Sequence, residues 1–157
     1  EKYRNRLKKY FGTEDIPSNE GMFYFYPTFW NRIDMVVINP HDRKTKTGKN
    51  PIYYEVVPAG AQGVFRLLYV PMHYTGRYEE KEFRERIKSD LVDVVEGLET
   101  MMLHYGFSAK KTLGFGVIKE SWNKEQSRLV VKIEGKTMED KFASFEELKN
   151  IVNKVRS

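Results

Sequence analysis

The chain has 157 residues, a formal net charge of +5, no cysteine, and 14% aromatic residues, among them ten tyrosines and ten phenylalanines. That length can bury a real core, while the missing cysteines exclude disulfides, thiolate metal sites and cysteine nucleophiles. No apolar run approaches the roughly 20 residues of a membrane span, no signal peptide is visible, and the modest basic excess permits an acidic partner such as nucleic acid without requiring one.

Residues Glu1 to Phe11 carry apolar side chains at three- and four-residue spacing (Tyr3, Leu7, Tyr10, Phe11) between Lys2, Arg4, Arg6, Lys8 and Lys9. The spacing predicts a basic helix ended by Gly12. The chain opens inside this helix without an initiator methionine, and reads as a fragment whose upstream elements are missing. Thr13 to Glu20 reads as a loop. Gly21 to Tyr26 predicts an aromatic strand stopped by Pro27, and Arg32 to Ile38 a second strand closed by Asn39-Pro40. His41 to Pro51 is polar, basic and bracketed by prolines, which predicts a long loop.

Ile52 to Val57 and Val64 to Val70 read as strands. Glu79 to Tyr105 has the clearest helical period, with Phe83, Ile87, Leu91, Val94, Val95, Leu98 and Met102 on one face and Gly106 as its stop. Leu113 to Glu120 and Arg128 to Glu134 predict strands, with Asn123 to Ser127 as a turn. Ser144 to Val155 predicts a last helix, Ser144 being the N-cap and Glu147 completing a capping box. The whole is an α+β pattern, with helices packed on one face of a sheet.

Two stretches suit a phosphate backbone. In Gly106-Phe107-Ser108-Ala109-Lys110-Lys111-Thr112-Leu113-Gly114-Phe115-Gly116, three glycines admit close backbone approach and two lysines supply charge. The bland alternative is a helix cap with solvated lysines. The link runs from helix to strand, opposite to a dinucleotide fingerprint, and it lacks Walker spacing. In the His41 to Lys49 loop, Arg43, Lys44, Lys46 and Lys49 suit an RNA backbone, against the alternative of a solvated charge run. His41, His73 and His104 are far apart in sequence, and no spacing among them suggests a metal. His41 and Asp42 are weak catalytic candidates; Asp34 and Asp42 read by default as turn or salt-bridge residues. Tyr24 and Tyr26 lie on the strand face that could stack bases, although edge packing explains them as well.

Taken in order, Tyr10-Phe11-Gly12, Gly21-Met22-Phe23-Tyr24-Phe25-Tyr26-Pro27, Asn39-Pro40-His41 and the glycine-rich run from Gly106 to Gly116 resemble the RAMP superfamily of CRISPR-associated proteins. The order and spacing look most like subunits of the type III-B Cmr effector complex, particularly its sixth and first members. The resemblance covers about residues 10 to 118. It implies a ferredoxin-like (RRM-like), βαββαβ domain over residues 1–120, here lacking its N-terminal strand. Residues 121–157 would be a C-terminal hairpin and helix added to the same domain.

The missing signal peptide and apolar run predict a cytoplasmic protein with no membrane partner, and no metal or cofactor is expected. The resemblance implies an RNA-binding subunit in antiviral defence, with CRISPR guide RNA, target RNA and other Cmr subunits as partners. It places Gly106, Lys110, Lys111, Gly114 and Gly116 near RNA; Arg43, Lys44, Lys46 and Lys49 come from their charge alone. Two alternatives stay open: a metal-independent endoribonuclease processing CRISPR RNA through His41, and a scaffold that touches only protein. No residue matches either of the family's cleavage arrangements.

Overall fold

The computed structural model describes residues 2–13, 19–41, 43–45, 47–48, 50–111, 114–133 and 135–154. Among them the fold is mixed α+β, with three α-helices and small antiparallel sheets of two strands each. The chain divides into two units, Glu1–Met72 and His73–Ser157.

In the first unit, α1 (Lys2–Phe11) ends at Gly12, where β1 (Gly12–Thr13) pairs with β2 (Asn19–Glu20). β3 (Phe23–Phe25) pairs antiparallel with β6 (Leu67–Tyr69), aligning Phe23 with Tyr69 and Phe25 with Leu67. Between them β4 (Asp34–Ile38) pairs with β5 (Ile52–Val56), aligning Asp34 with Val56 and Ile38 with Ile52. Bridges join Trp30 to Gly63 and His41 to Gly48. Together with Val70 N–H to the Met22 carbonyl (2.9 Å) and Asn31 N–H to the Gln62 carbonyl (2.9 Å), they make one nested antiparallel excursion from Met22 out and back to Val70. Its register shifts at the turn closed by Ala61 N–H on the Pro58 carbonyl (3.1 Å).

The core of this unit lies at the stem. Met22 and Phe23 are buried, Tyr10 meets Phe23 edge-on (5.1 Å between ring centroids), and Phe23 stacks on Tyr69 (4.9 Å). Burial of such side chains contributes about 1.5–3 kcal/mol each. Burial in the aromatic run does not alternate as expected: Met22 and Phe23 are buried, Tyr24 is half-buried, and Phe25 and Tyr26 are exposed, because the core lies at the stem rather than along one strand face. The predicted loop from His41 to Pro51 is instead partly the end of the β4–β5 hairpin, carried on by the His41–Gly48 bridge. A hydrogen bond between the Thr45 and Thr47 hydroxyls (2.7 Å) lies within that end.

In the second unit, α2 (Glu80–Glu99) presents Ile87 and Val95 to the interior, as its period predicts. It carries Glu80–Arg84 and Glu82–Arg86 ion pairs one turn apart. From Thr100 to Tyr105 the helix widens to π geometry, and Gly106 N–H closes it on the Met101 carbonyl at 2.7 Å. The Thr100 hydroxyl donates to the Glu96 carbonyl at 2.8 Å, a back-bond that bends helices. Met102 then joins Val95, Phe145, Leu148 and Val152 in one buried cluster, with Leu91, Leu98, Trp122 and Phe142 packed against it. Phe145, Leu148 and Val152 come from α3 (Phe145–Lys154). Ser144 caps it as predicted, accepting from Glu147 N–H (3.2 Å), while the Glu147 carboxylate reaches one residue beyond the N-cap and accepts from Ala143 N–H (3.1 Å).

Two expectations need correction here. No strand forms over the described residues between 114 and 120. Gly114 and Gly116 both take positive φ (81° and 87°), which ends strand geometry, and Ile118 N–H bonds the Met102 carbonyl (3.0 Å) instead of a neighbouring strand. The C-terminal hairpin pairs β7 (Arg128–Ile133) with β8 (Lys136–Lys141), a polar strand without apolar alternation. Among the described residues no helix is long and apolar enough to cross a membrane.

Candidate nucleic-acid interface

The glycine-rich link is a closed loop. Phe107 N–H donates to the Gly116 carbonyl at 3.3 Å, so the entering and leaving strands touch. Gly106 sits at φ 70°, ψ 161°, a region essentially reserved for glycine. A Cβ there would stand 2.6 Å from the Phe115 carbonyl oxygen; one on Gly116 would stand 2.7 Å from the Ser108 nitrogen. The close approach expected of these glycines is thus to the loop's own other end. The amides of Gly106, Phe107 and Gly114 are all donated inside the protein, the last to the Lys111 carbonyl at 2.9 Å.

What the loop displays is its tip. Residues 107–111 are exposed, and Lys110 takes φ 61°, a left-handed backbone that costs a side-chain-bearing residue roughly 1–2 kcal/mol. Gly114 is exposed, with open space around its Cα. The structure therefore brings Gly106, Lys110, Lys111, Gly114 and Gly116 together in one loop, with the glycines closing it and the lysines at its outer turn.

At the end of the β4–β5 hairpin, His41, Arg43 and Lys44 are exposed. Asp42, Lys46 and Lys49 lie outside the described residues. Asp34 stands at the first residue of β4, paired with Val56, rather than in a turn, and accepts from Met35 N–H (2.7 Å). His73 is half-buried in the turns before α2, and His104 is exposed in the π turn. Among the described residues, no group of three or more His, Asp or Glu could hold a metal ion.

Two arrangements were not legible beforehand. The first is in α1: its apolar stripe is largely exposed, with Tyr3 at 79%, Leu7 at 56% and Phe11 at 60% of full exposure. The Phe11 ring stacks nearly parallel to that of Phe25 (6.0 Å, 12°), while the expected stacking residue Tyr24 is half-buried. Periodicity finds such a stripe but does not reveal whether anything covers it. The second surrounds Asp90, which is buried on α2 and accepts from the Tyr74 hydroxyl at 2.8 Å. Burial first, then the Asp90 carboxylate, pushes the Tyr74 hydroxyl well above the ordinary tyrosine pKa. Arg86 lies over the Tyr78 ring, 4.0 Å from its centroid. An aspartate at an apolar helix position (Ile87, Asp90, Leu91, Val94) was the available signal.

No family model, curated protein or solved structure matches the chain.

Proposed function

We propose that this protein is an RNA-binding subunit of a type III CRISPR ribonucleoprotein, holding guide RNA or a guide–target duplex by its phosphate backbone beside other subunits of the complex. The observation that carries the reading is the closed loop from Gly106 to Gly116. Its two ends are joined by the Phe107–Gly116 hydrogen bond, and two adjacent exposed lysines stand between them. Exposed cations on such a loop position an RNA backbone without reading its bases. Arg43 and Lys44, exposed at the hairpin end of the first unit, are a separate pair of cations suited to a phosphate backbone.

The finer fold reading is a ferredoxin-like RAMP domain. Apart from the two-residue strands β1 and β2 between α1 and β3, the elements α1, β3, β6 and α2 come in the order helix, strand, strand, helix, that of the central four elements of a βαββαβ chain. β3 and β6 pair antiparallel, as that reading requires, with the β4–β5 hairpin inserted between them.

The test is Lys110→Ala with Lys111→Ala, titrated with RNA across a salt series. Loss of two phosphate contacts on a single strand should weaken binding and reduce the salt slope by about 1.4. Unchanged affinity at every salt concentration refutes the loop as a binding element. A scaffold that touches only protein would show no RNA affinity in the parent.

A further inference from the structure

We propose that the exposed face of α1, together with Phe25, is a stacking platform for single-stranded nucleic acid. It deepens the RNA-binding reading but is carried by other residues than the Gly106–Gly116 loop. Phe11 and Phe25 lie nearly parallel and are 60% and 49% exposed. Phe25 also meets Phe65 (6.2 Å), and Leu7 and Tyr3 continue the stripe along the helix at one-turn intervals. A contiguous apolar patch of this kind marks an interaction site.

Charge identifies the occupant. α1 carries Lys2, Arg4, Arg6, Lys8 and Lys9, with no acid in its first turn. On the helix wheel Arg4 and Lys8 border the Phe11 side of the stripe, while Arg6 borders the other. Lys9 lies over the Tyr10 ring, 4.9 Å from its centroid. A polyanion complements this basic helix, and one whose charges alternate with flat apolar groups also covers the rings. Single-stranded nucleic acid has both properties, and base–aromatic stacking with flanking cations is how such strands are held without sequence preference. A lipid surface also suits a basic amphipathic helix, but the exposed rings continue from α1 onto β3, where Phe11 and Phe25 lie parallel to within 12° and Phe65 closes the end at 57°.

The test uses the full chain and a fluorescent oligouridylate, titrated by anisotropy at several salt concentrations. Phe11→Leu keeps an apolar side chain but removes the ring, and should weaken binding about tenfold with the salt slope unchanged. Arg4→Gln with Lys8→Gln should instead reduce the slope by about 1.4, and keeps the test decisive should Phe11→Leu fail to fold in a thermal melt. Duplex RNA, whose bases are already stacked, should be indifferent to Phe11→Leu. An oligothymidylate arm separates RNA from DNA: equal Phe11 dependence on both supports a platform that reads stacking alone.

The platform is overturned if the parent does not bind single strands. It is also overturned if Phe11→Leu affects duplex and single strand equally, or if a folded Phe11→Leu changes nothing. Phe11-dependent binding to phosphatidylserine vesicles with RNA affinity unmoved would assign the face to a membrane instead. Lys110→Ala with Lys111→Ala, run beside these, separates the two readings. Loss there with none at Phe11 keeps the loop and removes the platform, and the reverse keeps the platform alone.

Discussion

Gly106 and Gly116 close their loop on each other, each standing where a Cβ would meet the other strand's backbone at 2.6–2.7 Å. The contact is backbone on backbone, so no side-chain rotation can relieve it. Gly116→Ala should destabilise the protein by about 2 kcal/mol or more, combining a steric clash with a left-handed backbone. Gly114→Ala, at φ 81° with nothing within 4 Å, should cost only about 1–2 kcal/mol. Urea unfolding of the two variants checks the ranking.

The Tyr74–Asp90 hydrogen bond should show itself at high pH. The Tyr74 pKa is raised above its ordinary value of 10.0, so the unfolded chain releases this proton first. The associated stability is fully present below pH 10 and is lost as pH rises toward the folded value. Unfolding free energies measured from pH 8 upward should fall in the parent, and fall less steeply in Tyr74→Phe. Asp90→Ala, which leaves the Tyr74 hydroxyl buried without this acceptor, should cost about 1–3 kcal/mol at neutral pH.

At the other end of the pH scale, the α3 cap contributes. Glu147 has its pKa lowered from 4.5, first by the hydrogen bond from Lys124 and then by the Ala143 amide. Its contribution is present above pH 4.5 and lost as pH falls below it. Glu147→Gln should therefore flatten the acid limb of stability against pH, followed by circular dichroism. Ser144→Ala should cost about 1 kcal/mol with no such dependence.

The two units should respond separately to core truncation. Met22 is fully buried at the stem of the first unit, and Leu148 is buried in the α2–α3 cluster of the second. Each change to alanine should cost about 2–5 kcal/mol. Amide hydrogen exchange should quicken across β3 and β6 in Met22→Ala, and across α2 and α3 in Leu148→Ala.

Local signals carried much of the architecture. Ser144 and Glu147 announced α3 because a cap is made by residues three apart, and Gly12 and Gly106 marked helix ends for the same local reason. The run from Leu113 to Glu120 misled because its apolar alternation mimics a strand, while the glycines at 114 and 116 set the backbone. β8 was missed because Lys-Thr-Met-Glu-Asp-Lys is specified by β7 across the ladder, with nothing apolar of its own to bury. In the candidate site, the sequence revealed the lysines of the loop but not its closure, since Gly106 and Gly116 are ten residues apart and meet only when folded. The exposure of Phe11 was equally illegible: a periodic stripe reads the same whether it is covered or bare.

The excursion from Met22 to Val70 leaves and returns at one hydrogen-bonded rung, with Phe23 and Tyr69 clasped just beyond it. Beyond the Phe25–Phe65 contact, the last ring contact that reaches back to α1, the excursion is therefore adjustable in length without disturbing α1 or the stem. Residues gained or lost in opposed pairs move the His41–Gly48 end outward or inward like a telescoping rod. A single insertion on one strand turns every later side chain to the opposite face. Reach and facing are thus set independently, by two different kinds of change in the same segment.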